Sequence, residues 1–228
     1  MQRHPQGNDS AMKDLFQRLE KRLKERRVYK IAPDLGAADL DPVTNNLQND
    51  HFDPTRKIPT FWRKQRKLFY SDMCVRKPGE QAALGAKWGL SLPEDYLQFC
   101  SIYGEYVLAG RNALHLENAA DVEDAVVGLR QGADISLQAP YRVFHFARIV
   151  GECGYFTFRW SEDRKMMDVA LIEDYAEIGE EELLGPDGDK YVTDPDFTSW
   201  LTRMLDTDCY PLVPGQREPE RAGLKRIK

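Results

Sequence analysis

Residues 80–104 constrain the fold most, because they predict two short helices joined by a sharp turn. Three apolar residues at helical spacing mark one side of the first helix: Ala83, Leu84 and Trp88. Gly89 predicts its end, since glycine tolerates the left-handed conformation that closes many helices. Pro93 suits the first turn of a second helix, which Gly104 ends. The apolar side of that helix is Leu97 with residues 99–102. Helices this short are unstable alone, so they must pack on the segments downstream.

Those downstream segments predict strands followed by a closing helix. Strand candidates are residues 106–109, 113–116, 141–150, 154–160 and 168–172. The pair 141–150 and 154–160 is rich in aromatic and β-branched residues, and it predicts a hairpin through residues 151–154. Helices are expected at 119–130 and 177–184, and a last helix has Asp194 as its cap and Pro195 at its first position. The order predicts an α+β fold, with an antiparallel-rich sheet packed by helices.

The two ends of the chain differ from this body in composition. We expect a basic N-terminal extension over 1–79, a body over 80–206 and a tail over 207–228. The extension contains an amphipathic helix at 11–27, which either docks on the body or grips an acidic partner surface. Residues 32–60 predict an irregular connection with four prolines. The aromatic and basic run 61–70 indicates docking on the body rather than stacking on single-stranded nucleic acid.

Charge is distributed unevenly, although the formal net charge is only −5. Residues 1–79 hold 17 Lys and Arg against 10 Asp and Glu, while residues 80–215 hold 10 against 25. This acidic body argues against general nucleic-acid binding and favours a basic protein partner. No apolar stretch predicts a signal peptide or membrane span, and the four cysteines form no Cys-x-x-Cys pair, so we expect cytoplasmic localisation with free thiols.

Three acidic segments in the body are the candidate partner-binding residues. They contain Glu117, Asp121, Glu123 and Asp124; then Glu152, Glu162, Asp163 and Asp168; then Glu173, Asp174 and Glu177. Each segment alone is typical of a solvated helix face or loop. Three in one half of the chain indicate a continuous negative surface that binds a basic partner.

Catalytic and metal signatures are scarce in this sequence. Cys153 and His145 lie on or beside the predicted hairpin, which raises the alternative of a small Cys/His enzyme. However, His145 falls well down its strand, so a structural histidine and a turn cysteine are the favoured interpretation. Residues 187–189 have part of a calcium-loop pattern, but the remaining ligand spacing is missing. We therefore expect no catalytic residue, no metal and no cofactor.

The body resembles the SUKH superfamily, which includes fungal cell-wall regulators and bacterial immunity proteins. Residues 92–96, with Leu92, Pro93 and Tyr96, match the helix start of that family, and Gly104 matches the glycine that closes the helix. Tyr103 stands where the family usually has Asn. Two further motifs resemble the family's strand, glycine turn and strand and its closing helix: Phe146-Ala147 with Gly151 and Gly154, and Phe197 with Leu201.

This resemblance implies a non-catalytic fold that works by binding protein. The expected function is that of an immunity protein, which neutralises a cognate toxin by binding and blocking it. An acidic body fits a basic toxin independently of the resemblance. The alternative is a regulatory scaffold of the fungal type, with residues 1–79 as an additional docking arm. The resemblance covers residues 80–206 and transfers no partner-contact residue.

Overall fold

A computed structural model describes residues 8–25, 28–31, 69–75, 79–132, 135–150, 154–173, 180–210, 212–214 and 224–226. The helices are α1 Asn8–Glu25, α2 Glu80–Trp88, α3 Glu94–Tyr103, α4 Ala119–Gly132, α5 Glu180–Leu184 and α6 Phe197–Asp206, with a 3-10 helix at Gly188–Tyr191. The strands are β1 Val28–Ile31, β2 Phe69–Ser71, β3 Met73–Val75, β4 Glu105–Ala109, β5 Ala113–Leu116, β6 Val143–Ile149, β7 Gly154–Trp160, β8 Met166–Glu173, β9 Val192–Asp194 and β10 Leu224–Arg226.

The central element is a seven-stranded sheet in which β3 to β9 lie side by side in chain order. Every neighbouring pair is antiparallel, so the α+β prediction with an antiparallel sheet is confirmed. Residues in register share a face, and Tyr106, Leu116 and Ala147 form one such row across three strands. We call this the first face and the opposite one the second face.

Aromatic side chains join the helices to the first face. The ring of Tyr96 on α3 lies 5.2 Å from that of Phe158 and 5.2 Å from that of Phe197, which begins α6. Trp200 on α6 stands edge-on to Phe146, with ring centroids 4.9 Å apart. Tyr96 is 1% exposed and the other four are fully buried. Aromatic pairs of this kind add about 0.5–1.5 kcal/mol each beyond their buried area.

Both helices end as the glycines predict, since Gly89 after α2 has φ 69° and Gly104 after α3 has φ 65°. Two details of the predicted apolar sides are wrong. Ala83 is exposed, because the buried stripe of α2 runs through Gln81, Leu84, Gly85 and Trp88 at helical spacing. Ile102 is 38% exposed, because the inward positions of α3 are Tyr96, Phe99, Cys100 and Tyr103.

Elements before residue 79 pack on the body. Leu15 and Leu19 of α1 are buried, and the ring of Phe16 lies 5.7 Å from that of Tyr103. The Arg22 guanidinium donates to the Asp72 carboxylate at 2.7 Å and also to the Ala109 carbonyl. Next to Asp72, β3 pairs with β4 along the edge of the sheet. A boundary at residue 79 therefore does not separate two packing units among the described residues.

The C-terminal segment also belongs to the packed structure. Asp196 rather than Asp194 caps α6, since its side chain accepts from the Ser199 amide at 2.7 Å. Asp194 instead forms an ion pair with Arg203, which holds β9 against α6. The expectation of a tail after 206 is wrong for two described positions, because Cys209 is fully buried and Leu212 is 5% exposed. β10 pairs with β1 in a separate three-stranded sheet, order β10-β1-β2.

Several predictions lie outside the described residues. These are the irregular connection 32–60, residues 61–68 of the aromatic and basic run, Gly151, Glu152, Cys153, Asp174 and Glu177. Glu173 ends β8, but its side chain is outside the description.

Candidate functional site

The first acidic segment continues from β5 into the start of α4. Asn118 caps the helix, because its side-chain oxygen accepts from the Asp121 amide at 3.0 Å. Asp121 is half-buried and accepts from Asn118 in return, at 2.8 Å. Glu123 forms an ion pair with Lys87 of α2, whereas Asp124 is exposed. Among the described residues, Asp124 is therefore the carboxylate of α4 that is exposed and forms no ion pair.

The second acidic segment lies in the turn between β7 and β8. Asp163 contacts Lys165 at 2.5 Å and accepts from the Ser161 hydroxyl, and these hydrogen bonds lower the pKa of the Asp163 carboxyl. Glu162 is exposed at the tip of the turn. The guanidinium of Arg164 donates to the Tyr141 carbonyl at 2.7 Å, which ties the turn to the start of β6.

Tyr141 links the structural elements that carry these two acidic segments. Its ring stacks on Trp88 of α2 at 4.5 Å, and the guanidinium of Arg130 of α4 lies 4.1 Å above it. The residue before Trp88 is Lys87, the partner of Glu123. We call the five carboxylates on these linked elements the acidic end: Asp121, Glu123, Asp124, Glu162 and Asp163. Lys87, Lys165 and Arg164 lie among them, so the surface carries both signs of charge.

Two of the predicted partner-binding residues, Asp168 and Glu117, form ion pairs with arginines of the sheet instead. Asp168 lies opposite Arg159 on the neighbouring strand and binds it with two hydrogen bonds, at 2.6 and 2.7 Å. Arg159 is 1% exposed and also donates to the carbonyls of Leu183 and Gly188, which anchors α5 and the 3-10 helix. Glu117 is 4% exposed and points to the second face. The expectation that Glu117 lies on the surface is therefore wrong, whereas Asp168 is half-buried and is held by Arg159.

Glu117 belongs to a polar cluster on the second face, whose members are Glu105, His115, Glu117 and Arg148. Nε2 of His115 lies 2.6 Å from the Glu105 carboxylate. Nε of Arg148 lies 2.9 Å from Oε1 of Glu117, and Nδ1 of His115 lies 3.9 Å from the same oxygen. His115 and Arg148 are in register on β5 and β6. The sequence contains a signal for this cluster that was not used. Apolar and polar residues alternate in Ala-Leu-His-Leu-Glu at residues 113–117, which places His115 and Glu117 on one face.

His145 does not fit a general base. It is fully buried, its Nδ1 lies 2.6 Å from the Thr157 hydroxyl, and its ring packs beside that of Tyr155. Burial lowers the pKa of His145 to about 3, which keeps the imidazole neutral. Five residues, or about 16 Å along an extended strand, separate His145 from Val150, which is the last described residue before Cys153 in the sequence. A substrate in solution has no access to this imidazole.

Within the described ranges, no group of three His, Cys, Asp or Glu side chains is arranged to bind a metal ion. In the same part of the chain, none of the helices combines the length and apolar character needed to cross a bilayer. In comparisons with known proteins, no protein-family model, curated protein or solved structure matches this chain.

Proposed function

We propose that this chain is a non-catalytic protein-binding domain that works as an immunity protein and blocks a basic toxin. The observation that carries the proposal is the acidic end. Carboxylates separated by about forty residues in sequence lie on elements that are joined through the Trp88–Tyr141 stack. Among the described residues, Asp124 and Glu162 are exposed there and form no ion pair. Two exposed carboxylates on rigid elements attract and orient a partner that presents Lys or Arg.

A rigid framework beneath the acidic end also supports binding. Trp88 is 6% exposed, and Arg130 is 1% exposed with a hydrogen bond from its guanidinium to the Ala139 carbonyl at 3.2 Å. Side chains fixed in this way lose little conformational entropy when a partner binds. The buried, neutral state of His145 argues against the Cys/His alternative.

The N-terminal helix bears on the scaffold alternative. In that hypothesis residues 1–79 serve as a separate docking arm, and their deletion removes scaffold function alone. Because α1 and β3 pack on the body, such a deletion also removes contacts that stabilise the fold. Point substitutions on the acidic end therefore separate binding from folding better than truncation does.

The test pairs the purified full chain with the product of the neighbouring gene. We expect inhibition of the toxin and tight binding, with Asp124→Lys and Glu162→Lys each weakening affinity at least tenfold. Reversing a charge at an interface places like charges opposite each other, and the resulting repulsion is large enough to weaken affinity by this factor. Asp14→Lys, an exposed carboxylate on α1, is the matched control and leaves affinity unchanged. Full inhibition by a double variant that combines Asp124→Lys with Glu162→Lys contradicts the proposed surface. Absence of any inhibition by the native chain contradicts the proposed function.

A further inference from the structure

The junction between β5 and α4 is held from both sides of the sheet. The backbone of Glu117 donates to the Phe146 carbonyl at 3.2 Å and accepts from the side-chain amide of Gln81 at 3.3 Å. The next residue, Asn118, is the cap of α4, and its amide also reaches the Glu105 carboxylate at 3.4 Å. The first turn of α4 is therefore positioned by residues 117 and 118.

The Glu117 carboxyl is buried in a site where, within the described part of the chain, only one of its two oxygens contacts a cation. Its Oε1 lies beside Arg148 and His115, whereas its Oε2 is buried and has no hydrogen-bond partner among the described residues. The Nε of Arg148 is likewise not aligned for a hydrogen bond, so the contact is one of charge. A buried ionised carboxylate with one unsolvated oxygen is costly, and the protonated acid is far less so.

Neighbouring charges act on this carboxyl in both directions. Among the described residues, Glu105 on β4 and Asp121 on α4 oppose its ionisation, while His115 on β5 and Arg148 on β6 favour it. Burial is the largest influence, and it raises the pKa of Glu117 above its ordinary value. The folded chain therefore holds this proton more tightly than a chain in which the junction has opened to water.

We propose that Glu117 is a proton-binding group whose deprotonation loosens the junction between β5 and α4. The proton passes to solvent, and the carboxylate left behind gains hydration only when the junction opens. Since α4 carries Asp121, Glu123 and Asp124, opening changes the geometry of the acidic end. This consequence for partner binding rests on the proposed function, whereas the proton-linked opening does not.

Hydrogen exchange of the full chain, without any partner, tests the opening. After correction for intrinsic exchange, protection of the amides in the first turn of α4 is expected to fall as pH rises from about 4.5, where a free Glu titrates. Each unit by which the pKa is raised corresponds to about a tenfold fall. Amides at the centre of β7, around Phe156 and Phe158, serve as the internal reference and change less.

Two variants separate the proton effect from a packing effect. Glu117→Gln imitates the protonated acid, so the protection of the α4 amides becomes independent of pH. Asp124→Asn, which removes an exposed carboxylate on the same helix, keeps the native pH dependence. Arg148→Gln removes the cation nearest to Glu117, and it moves the midpoint of the transition to higher pH.

The carboxyl carbon-13 shift of Glu117 in the native chain gives a direct reading that does not depend on any variant folding. An apparent pKa at or below the ordinary value for Glu overturns the proposal. Protection of α4 that does not change with pH also overturns it, as does a parallel change in the β7 amides, which means global unfolding. A chain that fails to bind its toxin but shows the expected exchange refutes the proposed function alone.

Discussion

Replacement of Leu19 by alanine tests whether α1 is part of the core or an arm that docks only on a partner. Leu19 is fully buried on the face of α1 that also buries Met12 and Leu15. Removing a buried Leu side chain beyond Cβ costs about 2–5 kcal/mol, because the lost transfer energy adds to the cost of a cavity. We therefore expect the free energy of unfolding of Leu19→Ala to fall by that amount.

Urea denaturation followed by tryptophan fluorescence measures this loss, because Trp88, Trp160 and Trp200 are all buried in the body. For a chain of 150–250 residues, each kcal/mol lowers Tm by roughly 2–4 °C. Thermal denaturation should therefore show a decrease of roughly 4–20 °C for Leu19→Ala.

Gln17→Ala is the matched control on the same helix, since Gln17 is exposed and alanine is a good helix former. We expect its free energy of unfolding to stay within about 0.5 kcal/mol of the native value. A loss below that same limit for Leu19→Ala refutes the reasoning. It would mean that α1 contributes nothing to the stability of the body and is free to act as an arm.

Three further predictions follow from buried groups. Gly110→Ala places a Cβ 2.4 Å from the Asp208 carbonyl oxygen, so it is expected to lower the free energy of unfolding by about 1–3 kcal/mol or more. Gly128→Ala, in open space on α4, is expected to raise the free energy of unfolding by about 0.5–1 kcal/mol. Urea titrations of both variants test the packing of residues 208–209. His145 is neutral in the fold with a pKa of about 3, so the folded chain loses stability as pH falls from about 6.5, where the unfolded chain takes up a proton. The loss reaches about 2 kcal/mol at pH 5. His145→Gln should remove that part of the pH dependence in denaturation curves. Burial raises the pKa of the Cys100 thiol to about 12, so Cys100 should stay unlabelled by a thiol reagent in the native chain and react in urea; rapid native labelling of that cysteine contradicts its burial.

Local signals predicted the body well because they are strong there. Gly89 and Gly104 end their helices at positive φ, and the runs around Phe144 and Phe158 form adjacent strands of the sheet. Both signals depend on neighbours in sequence: a residue without Cβ at a helix end, and apolar alternation along a strand.

Long-range contacts account for what sequence patterns did not predict. β3 and β9 are only three residues long, so neither carries enough alternation to be recognised, and each is fixed by pairing with a longer strand. Asp194 and Asp196 are both good cap residues, and their roles are decided by Arg203, which takes Asp194 into an ion pair. A propensity common to both residues cannot make that choice.

The acidic residues show the same limit at the candidate site. Glu117 and Asp168 look like their exposed neighbours in sequence, but each faces an arginine on the adjacent strand, Arg148 and Arg159 respectively. An ion pair between strands depends on register, and register follows from the whole sheet. The acidic end is consequently smaller than the three acidic segments suggest, and it depends on side chains such as Asp124 and Glu162 that find no partner within the described chain. A basic partner gains most binding free energy where exposed carboxylates have no ion pair within the described fold. Charge reversal at Asp124 or Glu162 should therefore change affinity with little change in stability.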